Sequence, residues 1–341
     1  MDLAIFKDRA KIKARKIANW ARNISDVRYI NAPRHIKLHR YLGNNNILPR
    51  AHRAQLVEKI AASLPAEAQQ QEREYHAQLL DACPTTLTVD PQMGAARLDI
   101  QDQPAPACIA DTHARIEHFI AGAGMQMNTK PYLAETSSLK DYAPDNPCFQ
   151  LATAPYILGA VARYFGSCPV LWNITAMYSP PPISNTNKLK GSQLWHIDRE
   201  DITTLKLWLL CSEITPANGP TIILPTRYSD QVAEKLGPVS SEKVRDEALF
   251  EPFCPHFLSL TGNSGDMFLT DTARCYHHGS RMQAGIERRV LMIHYTTRHS
   301  TYLAPGNKRA HDRLHAQVRQ AWDTLPQSTR AVLRVYDQQA S

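Results

Sequence analysis

Gln193-Leu194-Trp195-His196-Ile197-Asp198 contains the only His-x-Asp of the chain. Alternate side chains of a β-strand share a face, so His196 and Asp198 point the same way. One imidazole beside one carboxylate makes two thirds of a 2-His-1-carboxylate set. That set holds non-haem Fe(II) on one face and leaves the remaining positions open. The pattern requires a second histidine on a later strand that folds back beside the first. Cys275-Tyr276-His277-His278-Gly279-Ser280 offers one, about 80 residues downstream.

The surroundings of both pieces read as β. Residues 169–178, 192–198, 203–211, 220–225, 264–270, 273–278 and 288–296 are short runs of strand character. Turn residues such as Asn218-Gly219-Pro220 and Gly262-Asn263-Ser264-Gly265 separate them. Many short strands with this punctuation predict a sandwich or jelly roll. An insert from Arg227 to Pro255, helical around 229–236 and 241–250, reads as a lid over the pocket. Helices flank the β part. Pro155 to Phe165 is apolar-periodic and stopped by Gly166. Upstream, residues 50–82 read as helical with a break at Pro65, Ser63 capping the second piece. Residues 84–108 are irregular or short-stranded, and Asp111 caps a helix through Ala121. Lys308 to Gln339 is helical and charged, broken near Pro326. The division expected is a helical, basic region over 1–149, a β core over 150–300 with the insert 227–255, and a helical extension over 301–341.

The chain has 341 residues, 43% of them hydrophobic, enough for a packed core. It contains no run of 18 apolar residues, and its first residues lack the layout of a signal peptide, so a cytoplasmic protein without a transmembrane segment is expected. The 7 cysteines are odd in number, widely spaced and form no C-x-x-C, which predicts reduced thiols rather than a disulfide framework or structural zinc. The net charge of +7 is uneven. Residues 1–60 hold 14 Lys or Arg against 4 Asp or Glu, a balance of +10, which leaves about −3 for the remainder. Leu3, Phe6, Ala10, Ile17, Trp20 and Ile24 recur at helical steps among the lysines and arginines of residues 2–24. The plain reading is a helix packed by its apolar stripe; the sharper one is a surface for anionic lipid or nucleic acid. No aromatic-interleaved basic patch or DNA-binding motif accompanies it, so no nucleic-acid partner is expected. Nothing in the sequence signals an oligomeric state.

Eleven residues after His277, Arg288 opens the run Arg288-Arg289-Val290-Leu291-Met292-Ile293-His294-Tyr295. An arginine deep in a β-barrel forms a bidentate pair with a carboxylate. An iron triad with such an arginine is equipment for 2-oxoglutarate, whose carboxylate and keto oxygens chelate the metal while its far carboxylate meets the guanidinium. The triad residues, with Lys206-Leu-Trp-Leu-Leu210, Asn218-Gly-Pro220, Leu224-Pro-Thr226, Gly265-Asp266, His277-His-Gly-Ser280 and Arg288-to-Tyr295, follow a specific order and spacing. In this order, residues 150–297 resemble the phytanoyl-CoA dioxygenase family of Fe(II)/2-oxoglutarate oxygenases.

The resemblance implies a double-stranded β-helix (a cupin-like jelly roll) with N- and C-terminal helices, mainly β with flanking α. It implies His196, Asp198 and one downstream histidine as iron ligands, and Arg288 as the 2-oxoglutarate anchor. His277 is chosen over His278 because it gives the eleven-residue step to Arg288 and keeps Arg288 in register with His294-Tyr295; Arg289 is the rival of Arg288. Gln193 and Lys206 are candidates for cofactor contacts, Lys206 reaching a carboxylate of 2-oxoglutarate or of substrate, and Trp195 for the pocket or the core. Asn173 and Tyr178 are weaker wall candidates, His294 and His299 are read as structural or exposed, and Asp266 as a turn residue. The implied cofactors are Fe(II) with 2-oxoglutarate and O2 as co-substrates. The implied reaction is hydroxylation of an unactivated C–H bond of a small molecule, with succinate and CO2 released. The carboxylate at Asp198 favours hydroxylation or desaturation over halogenation. The alternative expectation, from another class, is a non-catalytic jelly roll that acts as a binding module through its basic N-terminal region.

Overall fold

A computed structural model describes residues 55, 57–59, 61–98, 105–122, 131–182, 188–237, 243–245, 247–300 and 313–336. The basic stretch 2–24 lies outside them. The elements run α1 (Ala66–Ala82), β1 (Ala95–Leu98), α2 (Ala105–Gly122), β2 (Ala134–Glu135), α3 (Pro147–Ala152), α4 (Pro155–Phe165), β3 (Val170–Ser179), β4 (Thr204–Leu210), β5 (Ile222–Ile223), α5 (Thr226–Leu236), β6 (Leu258–Ser259), β7 (Met267–Thr270), β8 (His277–His278), β9 (Arg288–Thr296), α6 (Ala316–Gln320) and α7 (Gln327–Leu333).

Two antiparallel sheets form the jelly roll. The larger has the order β1-β7-β4-β9-β3-β2 and the smaller β6-β5-β8. Single bridges extend the smaller sheet, His196 pairing with His277 and Trp195 with Val244. The β core was expected over 150–300, yet both edge strands of the larger sheet come from upstream of it: β1 from the stretch 84–108 expected to be irregular or short-stranded, and β2 from residues 134–135.

Alternation divides each long strand between two cores. Leu205, Leu207 and Leu209 of β4 and Leu291, Ile293 and Tyr295 of β9 face outward into an apolar core shared with the helices. Helix α2 lies against β9, β3 and β4, and α7 against β3 and α1. The other face of the same strands presents Trp208, Val290 and Met292, which meet Ile223 of the smaller sheet. Arg288, Lys206 and His294 belong to this inner parity.

Helix α4 behaves as its sequence predicts: Pro155 sits in the first turn, and Gly166 closes the helix at φ 63°. Two cap expectations fail. Helix α2 begins six residues before Asp111, so Asp111 lies within it and pairs with Arg115 at 2.6 Å. Helix α1 starts at Ala66 behind Pro65, with no side-chain cap from Ser63. Asp266 does set its turn, accepting from the Asn263 amide at 2.8 Å. All seven cysteines are free thiols, six of them buried. Among the described residues no helix is long and apolar enough to cross a membrane.

The insert packs on the back of the smaller sheet. Phe250 stacks on Trp195 at 4.3 Å, and Leu224, Val232, Phe253 and Tyr276 complete that cluster. Among its described residues none lines the pocket of the triad as the expected lid would; residues 238–242 and 246 of the insert lie outside the described residues. The outward face of the smaller sheet is apolar and needs cover, and the insert supplies it.

Candidate metal centre

The bridge between His196 and His277 puts the two residues directly opposite one another, so their side chains leave the sheet on the same side. Their amides exchange hydrogen bonds of 3.0 and 2.9 Å with each other's carbonyls. The Asp198 amide donates to the Thr272 carbonyl at 2.8 Å, which holds the carboxylate two residues on. The ligand atoms of His196, Asp198 and His277 all lie within 4.8 Å of one another. The Nε2 atoms approach the carboxylate at 4.0 Å for His196 and 3.9 Å for His277.

Each imidazole is fixed from behind. His196 Nδ1 donates to the Leu194 carbonyl at 2.8 Å, and His277 Nδ1 to the Cys275 carbonyl at 3.0 Å. A proton held at Nδ1 leaves the Nε2 lone pair for a metal. Burial, helped by the neighbouring His277, pushes the His196 pKa down to about 3; burial also lowers that of His277 against the pull of Asp198. Both rings are therefore neutral ligands at ordinary pH. Burial pushes the Asp198 carboxyl up, but the Lys206 ammonium, which also donates to it, outweighs burial and holds the carboxyl well below its usual range. Two neutral nitrogens and one carboxylate oxygen suit a divalent first-row metal.

His278 points the other way. Its ring stands edge-on to Trp195 at 4.5 Å, and its Nδ1 is buried without a hydrogen-bond partner among the described residues. The same parity separates the two arginines. Arg289 turns out to α2, where it pairs with Glu117 and Glu287 and meets His113. Arg288 turns in to the pocket of the triad. Its Nη1 donates to the Gly219 carbonyl at 2.8 Å and its Nη2 to Ser280 Oγ at 2.9 Å. No carboxylate among the described residues pairs with it, and burial pushes its pKa down to about 10.

The Arg288 cradle is made by two backbone exceptions. Gly219 has φ 59°, and a Cβ there would stand 2.5 Å from the Arg281 amide nitrogen. Ser280, at φ 57°, is the only non-glycine with positive φ among the described residues. A left-handed conformation costs a side-chain-bearing residue about 1–2 kcal/mol, and such strain clusters at functional sites.

The pocket has a volume of about 130 Å³. Trp208, Met177 and Met292 give it an apolar wall, and Glu135 also lines it. Lys206 lines it too, its ammonium donating to Asp198. Gln193 does not belong to it: its amide donates to the Ser280 carbonyl at 2.7 Å and accepts from the Lys190 amide. Residues 191–193 form a 3-10 turn rather than a strand, so alternation does not carry Gln193 inward. Trp195 alternates away from His196. Tyr178 faces α2 in an apolar cluster, and Asn173 accepts from the Leu139 amide at 2.8 Å.

Two buried carboxylates escape the sequence reading. Asp201 accepts from the amide and hydroxyl of Thr297, both at 2.8 Å. Asp271 accepts from Thr203, Tyr164 and three backbone amides. They fasten the loop after Asp198 to β9 and β7. An aspartate in a polar loop looks the same whether buried or exposed, so no pattern marks them.

No family model matches the chain, and no curated protein matches it in sequence. Solved structures do. AviO1 from Streptomyces viridochromogenes Tue57 is 15% identical with a TM-score of 0.40, over 66% of this chain and 96% of that one. EctD from S. alaskensis, crystallised with 2-oxoglutarate and 5-hydroxyectoine, is 16% identical with a TM-score of 0.43, over 63% and 80%. The non-heme alpha ketoglutarate dependent epimerase SnoN from nogalamycin biosynthesis is 13% identical with a TM-score of 0.41, over 66% and 81%. Likeness at this level leaves the reading of the site to its own geometry.

Proposed function

We propose that the chain is an Fe(II)- and 2-oxoglutarate-dependent oxygenase that hydroxylates an unactivated C–H bond of a small molecule. One observation carries this reading. Three ligand atoms of a facial triad converge within 4.8 Å, in a pocket that also holds a buried arginine without a carboxylate partner among the described residues.

In this reading His196, Asp198 and His277 hold the metal. Iron and 2-oxoglutarate together supply the oxidising chemistry, with succinate and CO2 as co-products. The protein's own part is positional. The carbonyls of Leu194 and Cys275 keep both rings in one tautomer and orientation. Arg288 pairs the far carboxylate of 2-oxoglutarate, and the cradle of Gly219 and Ser280 fixes its guanidinium before the ligand arrives. Trp208, Met177 and Met292 keep water from the reacting carbon.

The test is anaerobic titration of the purified protein with Fe(II) and then 2-oxoglutarate, followed by the weak visible charge-transfer band of the chelate. Wild type and His278→Ala are expected to show the band, and His277→Ala to lose it. Arg288→Ala is expected to need far more 2-oxoglutarate. A wild-type protein that binds no iron ends this reading.

A further inference from the structure

Lys206 is not explained by holding the jelly roll together. It sits on the inner face of β4 and lines the pocket, with its ammonium on Asp198. Across β9 its register partner is His294, six residues from Arg288. Six residues of strand span about 20 Å, so Lys206 and Arg288 stand at opposite ends of the pocket. His294 shares the inner face with Lys206 without itself lining the pocket, is 5% exposed, and its Nε2 is buried with no hydrogen-bond partner among the described residues. A buried ammonium needs an anion, and a buried imidazole nitrogen needs a partner.

Asp198 has two claims on it. A carboxylate that ligates a dication gives up much of the charge that it offers an ammonium, and the ammonium in turn repels the dication. Lys206 then needs another anion on the same side of the metal. The charges of Glu200 and Glu135 bear on it as well, so an exchange within the protein is the rival outcome.

We propose that Lys206, backed by His294 on the neighbouring strand, forms a carboxylate subsite beside the metal, at the end of the pocket away from Arg288, and that sharing Lys206 between Asp198 and this carboxylate couples metal binding to anion binding. This rests on the oxygenase reading of the triad. The carboxylate has two sources: the metal-proximal carboxylate of 2-oxoglutarate, or a carboxylate of the substrate itself.

The probe is Co(II), whose visible absorption reports binding, added to the full chain as wild type, His196→Ala, Lys206→Met and His294→Leu. A wild type that does not bind Co(II), or a His196→Ala variant that binds it equally well, overturns the oxygenase reading before Lys206 is considered. With the triad established, Lys206→Met is expected to bind Co(II) about tenfold more tightly. 2-Oxoglutarate is then titrated into the Co(II) proteins, and hexanoate into the Co(II)–2-oxoglutarate proteins. A loss of about tenfold in the first arm identifies the co-substrate's carboxylate, and the same loss confined to the second identifies the substrate's. His294→Leu is expected to weaken the same arm severalfold and leave Co(II) affinity unchanged. The proposal is overturned if Lys206→Met binds Co(II) no more tightly than wild type, or if neither arm responds, as an internal exchange with Glu200 or Glu135 would give. If circular dichroism finds Lys206→Met unfolded, the pair Lys206→Arg and Lys206→Gln decides: the first is expected to keep anion binding and the second to lose it.

Discussion

Arg288 and Arg334 are buried almost equally, 5% and 8% exposed, and the protein treats them in opposite ways. Arg334 is bonded on every side. Its Nε and Nη2 meet the two oxygens of Glu72 at 3.0 and 2.7 Å, and the carbonyls of Cys168, Pro169 and Ala331 take further donors. Burial alone would lower its pKa, but its anionic neighbours, Glu72 among them, hold it raised. Arg288 has, among the described residues, neutral partners only, Gly219 and Ser280, and burial brings it down to about 10. A guanidinium neutralised within the fold ties elements together: Arg334 joins the C-terminal end of α7 to α1. A guanidinium cradled but not neutralised is prepared for an anion from outside.

The sharpest break between the two is stability. Arg334→Met leaves Glu72 with Arg298 as its one remaining arginine among the described residues, and removing one partner of a buried pair costs about 3–5 kcal/mol. Urea unfolding should register that loss, with the affinity for 2-oxoglutarate unchanged in the folded fraction. A loss below about 1 kcal/mol would remove the contrast. Arg288→Met should behave in reverse. Affinity for 2-oxoglutarate is expected to fall about a hundredfold, as for one partner of a buried charge pair, while the unfolding free energy moves by no more than about 1 kcal/mol.

A pH series sharpens the same contrast. Burial pushes the Glu72 carboxyl up, but Arg334 and Arg298 outweigh it, and its folded pKa lies below the ordinary value of 4.5. The unfolded chain therefore binds this proton more readily. The stability from the pair is full above 4.5 and is lost as the pH falls through the folded value. In Glu72→Gln that part of the acid limb should disappear, with lower stability at neutral pH. Arg288→Met should leave the limb in place. The smallest expected effect is that of Ser280→Ala, which removes one neutral acceptor from Arg288: a loss of about fivefold in 2-oxoglutarate affinity, read from the same band.

The legibility of the site follows from the same parity. His196 and Asp198 were readable because period two is local, and the bridges at Trp195 and His196 keep that backbone extended although the segment forms no regular strand. Gln193 was misread because the alternation stops at a 3-10 turn just before it. The choices between His277 and His278 and between Arg288 and Arg289 are single steps of alternation. Sequence states that neighbours face opposite ways, but not which side is the inside. The insert posed the same problem at larger scale. An amphipathic helix and a run of aromatics need an apolar surface; the sequence suggested the pocket mouth, whereas Phe250 lies on Trp195 at the back of the smaller sheet. Strand β1 was legible only as part of an irregular or short-stranded stretch over 84–108, and β2 not at all: four and two residues long, they carry no alternation to detect and are held by partners on β7 and β3.

By itself the sequence determined which ligand types exist, their order, and the strands and helices whose patterns repeat within a few residues. Local sterics and the burial of one face suffice for that. Only the tertiary structure decided which charges meet: Lys206 with Asp198, Arg334 with Glu72, Arg289 with Glu117, and Arg288 with no carboxylate among the described residues. Those pairings join segments that are brought together by the closure of the two sheets and their helices. The energy of each depends on how far water is excluded there, which no stretch of sequence states.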